Sequence, residues 1–511
     1  MRRSMRTLLL LPAALIALAL GPAGATAQVA GGSPAGGGGP SGGTTSSGLS
    51  SGGSNSAGIA AVPGAIANPE VGMEDEALIF TPQANSFAAQ WRSMGVDYVR
   101  IQAYWNALSP GTNSRTIPAG FDPSNPNSPG YIWARLDAAI AAVRNNGMQV
   151  MLTLNQSNPR WASTQPNVTK ASWMPNPTRF AQFVTAVGRR YGQQVNRYLM
   201  LSEPNQLPFL APQFTCRGRK CTPVAPHLAR NLSNAGYTAI KSADPGAQVI
   251  VGELAPIGSP PSRTSGLTPL LFLQQMGCVN TKFRPIRTGL CRGFKAVRGD
   301  GFGYHPYVNT KTSPFQATRN KSLAKIGDMP RLLSWLDKLT SKRRMRASTG
   351  RFRLYLTEYG YITFPPNRKY GVSQAKQSVF NAQSAYVSWL LRSRIKLLTQ
   401  YEFNDDRTFP TGLRFNNGSP KTAFFTFTTP FFIDTRRGLS RARFWGQVRP
   451  DSQGSVVIQI QRGGAFSTVA TLPTDAGGYF TRVMRAQRRA TYRFQWVNSA
   501  GATQTSQTFR T

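Results

Sequence analysis

Glutamate is scarce in this chain and its placement is uneven. The seven are Glu70, Glu74, Glu76, Glu203, Glu253, Glu358 and Glu402. All but Glu70 fall at or just beyond the end of a stretch that reads as a β-strand. The clearest is Arg353-Leu354-Tyr355-Leu356-Thr357-Glu358-Tyr359-Gly360-Tyr361. An apolar run ends there on a carboxylate flanked by aromatics and glycine, as in a buried parallel strand with one ionisable group at its carboxyl end. Ser202-Glu203-Pro204-Asn205 follows a shorter run, Arg197 to Leu201, in the same way. Two carboxyl groups flanking one bond can break it, one donating a proton to the leaving oxygen and the other attacking carbon. For a glycosidic bond broken with retention they stand roughly 5–5.5 Å apart. On Glu358 alone, a strand-capping glutamate paired to an arginine is an equal reading.

Other chemistries are poorly supplied. His227 and His305 are the only histidines, which argues against a multi-histidine zinc site and leaves few options for a Ser-His-Asp triad. No glycine-rich phosphate fingerprint follows the first strand. No metal and no cofactor is expected. The formal net charge of +39 is extreme. Without a basic helix-plus-zipper, finger or RNA-binding signature it does not read as specific nucleic-acid recognition. It suits an anionic polysaccharide, a cell-wall polymer or a membrane surface, and a solubility adaptation is the plainer account.

The elements that must position these residues follow in order. Residues 1–27 read as a secretory signal: Arg2, Arg3 and Arg6, then an apolar stretch from Leu8 to Leu20, then Ala25-Thr26-Ala27. No second membrane-spanning segment is expected, so the mature chain should be secreted or wall-associated. Residues 28–62 are a Gly/Ser-rich linker. From 63 to 428, strand-like and helix-like segments alternate. Strands are expected at 67–72, 96–103, 148–154, 197–201, 248–251, 301–304, 353–358 and 397–402. Helices are expected at 87–94, 131–145, 177–191, 228–242, 325–338 and 374–392. Eight strands with helices between most of them predict a closed (β/α)8 barrel of the TIM type, with an open doubly wound sheet as the alternative. In that barrel the ends of the fourth and seventh strands face each other, which pairs Glu203 with Glu358. Asp405 and Asp406 follow the eighth strand and add to an acid-lined rim. Residues 429–511 carry short alternating strands near 456–461, 468–472, 479–484 and 492–497, an immunoglobulin-like β-sandwich by pattern.

Cys216, Cys221, Cys278 and Cys291 lie in loops after the fourth and fifth strands. An even count in an exported chain favours two disulfides. Local pairing of 216 with 221 and of 278 with 291 is preferred among three connectivities, with a four-cysteine zinc site as runner-up. The bridges should stiffen long loops on the barrel's active face.

From about Pro69 to Asp406 the chain resembles the retaining glycoside hydrolases of clan A, which include the cellulase family and the β-xylosidase and α-L-iduronidase family. The resemblance rests on an ordered set: Val99-Arg100-Ile101 on strand two, Ser202-Glu203-Pro204 after strand four, His305-Pro306-Tyr307 after strand six and Thr357-Glu358-Tyr359-Gly360 on strand seven. It implies that Glu203 is the general acid/base and Glu358 the nucleophile. Arg100 and Tyr307 would bond the nucleophile and keep it ionised, and His305 would border the sugar. Asn155, Trp161, Ser202 and the Tyr104-Trp105 pair join the expected substrate-binding set. Ser202 stands where the family has asparagine. The family's tryptophan after strand eight is missing, and Phe403 takes that place.

The reading that follows is a secreted retaining glycoside hydrolase with a polysaccharide substrate, which the charge makes attractive as an anionic one. Ser202 and the missing tryptophan motivate a rival, a non-catalytic glycan- or cell-wall-binding protein on a decayed barrel. A third is a wall-associated protein held by charge alone.

Overall fold

The computed structural model describes residues 67–511 apart from 171, 260, 262–264, 309, 310 and 451–453. The expected leader (1–27) and linker (28–62) lie outside the described residues.

Eight strands close into a barrel: β1 (Glu70–Glu74), β2 (Tyr98–Tyr104), β3 (Gln149–Asn155), β4 (Arg197–Met200), β5 (Gln248–Leu254), β6 (Gly301–Tyr304), β7 (Leu354–Tyr359) and β8 (Ile395–Tyr401). Each pairs in parallel with its neighbours in sequence, and β8 returns to β1. A helix follows every strand: α1 (Ala84–Ser93), α2 (Ala134–Asn145), α3 (Pro177–Tyr191), α4 (Ala225–Ala243), α5 (Pro269–Met276), α6 (Met329–Ser341), α7 (Gln374–Leu390) and α8 (Thr422–Phe427). This is the (β/α)8 architecture. Local chemistry sets the helix starts. Asn176 accepts from the N–H groups of Thr178 and Arg179, with Pro177 in the first turn of α3, and Ser373 caps α7 through Lys376 N–H.

Strand periodicity divides the two faces. Val99, Ile101, Val150 and Leu152 point outward into the layer packed against the helices. Tyr98, Met151, Leu199, Ile250, Tyr355 and Leu397 point inward and fill the lower barrel. Arg197 closes that end, its guanidinium 3.9 Å from the Tyr98 ring centre and 4.7 Å from that of Tyr355, and paired to Glu70 at 2.9 Å. Glu70, which the sequence set apart from the other glutamates, therefore sits at the end opposite the mouth.

The disulfides are Cys216–Cys221 and Cys278–Cys291. The first clasps a hairpin, Phe214–Arg217 with Lys220–Pro223, in the loop after β4 on the mouth side. The second corrects the expectation that both stiffen the mouth. It follows α5, and Cys278 is buried against the first turns of α4, its Sγ 3.2 Å from Arg230 Nη1. It braces the helical shell.

Two antiparallel sheets follow. One joins β9 (Phe431–Asp434), β10 (Ala442–Gln447) and β13 (Tyr479–Met484). The other joins β11 (Gly454–Arg462), β12 (Ala465–Thr474), β14 (Thr491–Val497), β15 (Thr503–Thr505) and β16 (Phe509–Arg510). Their inner faces meet in a core that includes Phe431, Ile433, Phe444, Ile458, Phe480 and Phe494, which makes a β-sandwich. The sequence pattern missed β9 and β10. Phe431 and Ile433 enter the sandwich core, while Phe432 packs on Tyr386 and Trp389 of α7 with Trp445 and Tyr479. A strand covered on both faces reads as an unbroken apolar run, without the alternation that marks a half-exposed one.

No helix among the described residues is long and apolar enough to cross a membrane.

Candidate active site

Irregular strand ends turn the acids inward. Against β8, β7 has Leu356 opposite Leu398 but Tyr359 opposite Gln400, so an extra residue is accommodated. Such a bulge turns consecutive side chains toward one side, and both Thr357 and Glu358 face the mouth. The end of β5 is distorted as well. Gly252 has φ +110°, and a Cβ there would meet the Phe302 ring at 2.6 Å, so only glycine fits. Glu253 follows with φ +49°, and beyond β4 Leu201 and Glu203 are also left-handed at +72° and +39°. Backbone outliers of this kind cost energy and gather where side chains must be aimed. The Glu203 N–H donates to the Glu253 carbonyl at 3.0 Å, which ties the two strand ends together.

Arg100, fully buried on β2, is the hub. Its Nη1 donates to Glu74 Oε1 at 2.5 Å and to Glu358 Oε1 at 2.8 Å, and its Nη2 donates to Glu253 Oε2 at 2.6 Å. Tyr307 donates its hydroxyl proton to Glu358 Oε2 at 2.9 Å. His305, also fully buried, has Nδ1 2.9 Å from Glu203 Oε1 and 3.4 Å from Glu358 Oε2, with Nε2 3.7 Å from Glu253 Oε1. Thr357 Oγ1 donates to Glu253 as well. One oxygen each of Glu203 and Glu358 and a ring nitrogen of His305 all lie within 4.8 Å of one another. The carboxyl groups of Glu203 and Glu358 keep 17% and 11% of their side-chain surface open to the mouth.

Burial and charge sort the protons. Burial raises Glu203 above the usual carboxylate range, and the Glu358 charge adds to this against the pull of His305. Burial likewise pushes Glu74 well above that range and Glu76 up to about 7. Burial would also raise Glu253, but Arg100 and then His305 outweigh it and hold it at about 2. His305 is the converse: burial favours the neutral ring, yet the surrounding carboxylates, Glu358 foremost, raise it to about 10. A charged imidazolium and a guanidinium thus share the floor of the mouth with carboxylates. Glu203, His305 and Glu358 have the spacing of a metal triad, but a protonated His305 and the Arg100 cation both oppose a metal ion there.

Other expected site residues lie elsewhere. Trp161 is buried with its ring edge-on to Trp105 and Phe121 and its Nε1 bonded to Pro110 O at 3.0 Å, and Trp105 is stacked on Phe183. Neither offers a face to a sugar, because the α3 face needed apolar cover. Phe403 is fully buried against Phe87, Trp91 and Phe424. It points away from the mouth, and the aromatic that does face it is Tyr401, half-exposed and 6.1 Å from both Tyr307 and Phe409. A parity argument could have found it, since Tyr401 lies four residues beyond the inward Leu397. Asn155 is buried and donates to Gln102 Oε1 at 2.8 Å. Ser202 is buried too, its main chain clamped at 2.7 and 2.8 Å by the two ends of the Gln156 amide. Tyr104 is half-exposed and bonds Glu76 Oε2 at 2.6 Å.

The rim acids after β8 do not join the cluster. Glu402 accepts from Asp406 N–H at 2.7 Å, Asp405 pairs with Lys421 at 2.6 Å, and Asp406 caps the turn through Phe409 N–H at 3.0 Å. They hold the loop in shape.

No family model matches the chain, and no curated protein matches it. The chain is similar to a glucosidase from Croceicoccus marinus, at 15% identity over 79% of this chain and 80% of that one, with TM-score 0.46. It is also similar to xylanase B from Clostridium stercorarium F9, at 14% identity over 70% of this chain and 96% of that one, with TM-score 0.41.

Proposed function

We propose that the barrel is a retaining glycoside hydrolase that cleaves O-glycosidic bonds in a polysaccharide by double displacement. The observation that carries this reading is the Glu203–Glu358 pair, with oxygens within 4.8 Å, both open to the mouth. That spacing fits retention, since an inverting pair stands about 6.5–9.5 Å apart to admit a water. Glu203, protonated into the range where burial holds it, gives its proton to the leaving oxygen. Glu358, fixed by Arg100 and Tyr307, attacks the anomeric carbon and forms a glycosyl ester. Glu203, now a carboxylate beside the His305 imidazolium, takes a proton from water as that water attacks the ester. Tyr401 and Tyr104 offer half-exposed rings to the sugar. The leader-like start and two disulfides support export.

A panel of aryl glycosides and polysaccharides, run with the wild type beside Glu358→Gln, tests the reading. Release by the wild type alone is expected. Silence of the wild type across neutral and acidic glycans overturns it. That outcome favours the second reading, a glycan-binding protein on a decayed barrel, for which Ser202 and the burial of Trp161 and Phe403 speak. It predicts saturable binding to polymer without new reducing ends.

A further inference from the structure

The charge of the chain is not only large but locally organised. Residues 429–511 contain twelve arginines, three aspartates, no glutamate and no lysine, whereas the preceding residues contain fourteen lysines. Arg437, Arg441, Arg485, Arg488, Arg489 and Arg510 are all exposed. They fall on three segments at one end of the sandwich: the β9–β10 connection, the β13–β14 connection and the last strand. Main-chain bonds hold the segments together, Ala486 N–H to Leu439 O at 2.8 Å and Thr511 N–H to Ala490 O at 3.0 Å. Among the described residues none of these six arginines has a carboxylate partner. The neighbouring Asp434 is taken by Arg436 at 2.7 Å. Like charges gathered without counter-ions destabilise a fold, and their persistence at one end points to an anion that arrives from outside.

The position of this end adds a direction. Arg436 lies with its guanidinium carbon 3.9 Å from the ring centre of Phe315, which belongs to the β6–α6 connection on the mouth side of the barrel. An open groove of about 600 Å³ lies between that connection, the loop after β7 and the start of α7, with Lys311, Phe364, Lys376 and Val379 in its walls. Arg368 and Lys369 are exposed on the same β7 loop. Basic side chains therefore also stand at the mouth-side groove.

We propose that the arginine end of the sandwich is a binding site for the oxyanion groups of an acidic polysaccharide, carboxylate or sulfate. Arginine suits this ligand because its planar fork grips two oxygens of one anionic group, where lysine offers a point charge. A polysaccharide is favoured over single-stranded nucleic acid because the loop segments 435–441 and 485–490 carry no aromatic residue on which bases could stack, and duplex DNA is set against it in the test. The same lack of exposed aromatics gives no anchor for a lipid surface. The site does not depend on the hydrolase reading, since it lies outside the catalytic cluster and needs no turnover.

The test uses the full chain carrying Glu358→Gln, so that no polymer is consumed. Binding is measured to polygalacturonate, dextran sulfate, neutral arabinoxylan and duplex DNA at about 0.15 M salt, where distant charges are screened. Joint replacement Arg437→Gln, Arg485→Gln and Arg488→Gln is expected to weaken binding of polygalacturonate or dextran sulfate by about tenfold or more. A control with the same charge change on the barrel, Arg92→Gln, Arg346→Gln and Arg351→Gln, should change it by less than about threefold. The corresponding Arg→Lys triple keeps the charge but loses the fork, and should fall between wild type and the Gln triple. Whichever of the two acidic polymers binds more tightly identifies the oxyanion. Equal losses in the Gln triple and the barrel control would reduce the effect to net charge and overturn the site. So would absence of binding to both acidic glycans, or duplex DNA bound more tightly than either.

Discussion

Glu253, at the end of β5, and Asp405, beyond β8, are both buried carboxylates bonded to a buried cation, yet their surroundings have little in common. Around Glu253, Arg100 also reaches Glu74 and Glu358, and His305 reaches Glu203. Nearly every partner titrates, so a proton gained or lost by one is felt by all. Around Asp405 the partners are Lys421, Gly412 N–H and, through Lys421, the Thr363 hydroxyl. The direct contacts of this ion pair are groups that do not change charge, and the titratable Asp406 and Glu402 act on it without a side-chain bond to it. Acid at a strand end is thus not itself a sign of chemistry. What marks a reaction centre is coupling between titratable groups together with an opening to solvent.

The difference can be tested from both sides. The steepest effect is expected from Glu358→Gln, which should lower kcat/KM by about 10³-fold or more while leaving the cooperative melt intact. Arg100→Met comes next. It leaves three carboxylates around a site without its cation, and urea titration should record a loss of about 3–5 kcal/mol along with loss of turnover. Lys421→Met breaks the other buried pair and should cost a similar amount of stability, about 3–5 kcal/mol. Its kcat/KM at low temperature should nevertheless stay within about threefold of wild type. If Lys421→Met were as inactive as Arg100→Met, the two clusters would be one machine and the division would fail.

Smaller effects sharpen the contrast through pH. Burial holds Glu203 protonated above the usual carboxylate range, so the alkaline fall of kcat/KM should follow its deprotonation. Glu203→Gln should remove that limb, and should slow poor leaving groups more than activated aryl ones. Asp75, which accepts from Leu78 and Asn404 N–H groups beside the β8 loop, is raised by burial to about 6. The folded chain keeps this proton to about pH 6, while the unfolded chain releases it near pH 4. The group's stabilising contribution is therefore full below about pH 4 and is lost as pH rises to about 6. Glu253, held at about 2, works the other way: its contribution is present above about pH 4 and is lost as pH falls toward 2. Asp75→Asn removes the titrating group, though its amide can accept only one of the two N–H bonds, so it should lower Tm throughout and flatten its decline between about pH 4 and 6. An unchanged slope would remove Asp75 from the account.

Much of the mouth was legible in the sequence because strands that enter a barrel carry a period and end on marked residues. Arg100 stands on β2; Glu203, His305, Tyr307 and Glu358 stand at or just past strand ends, and closure of the barrel gathers them. The aromatics were legible only as types. Trp161 and Phe403 read as sugar platforms, and both went into apolar layers because α3 and α1 offered faces to cover. Tyr401 was passed over, although its parity with Leu397 aims it inward.

By itself the sequence determined the alternation of strands and helices, the grouping of six glutamates at strand ends, the close spacing of the cysteines that made local pairing the preferred one and the excess of arginine near the carboxyl terminus. These are properties of neighbours along the chain, where propensity and periodicity act. Only the tertiary structure decided which acids share Arg100, which are consumed by the β8 loop, that Glu253 belongs with Glu203 and Glu358, and that arginines from three segments meet at one end of the sandwich. Those outcomes depend on which strands become neighbours on closure and on which side chains lose water together. The energy of a charge is set by the groups within a few ångströms of it in space, and sequence distance does not measure that.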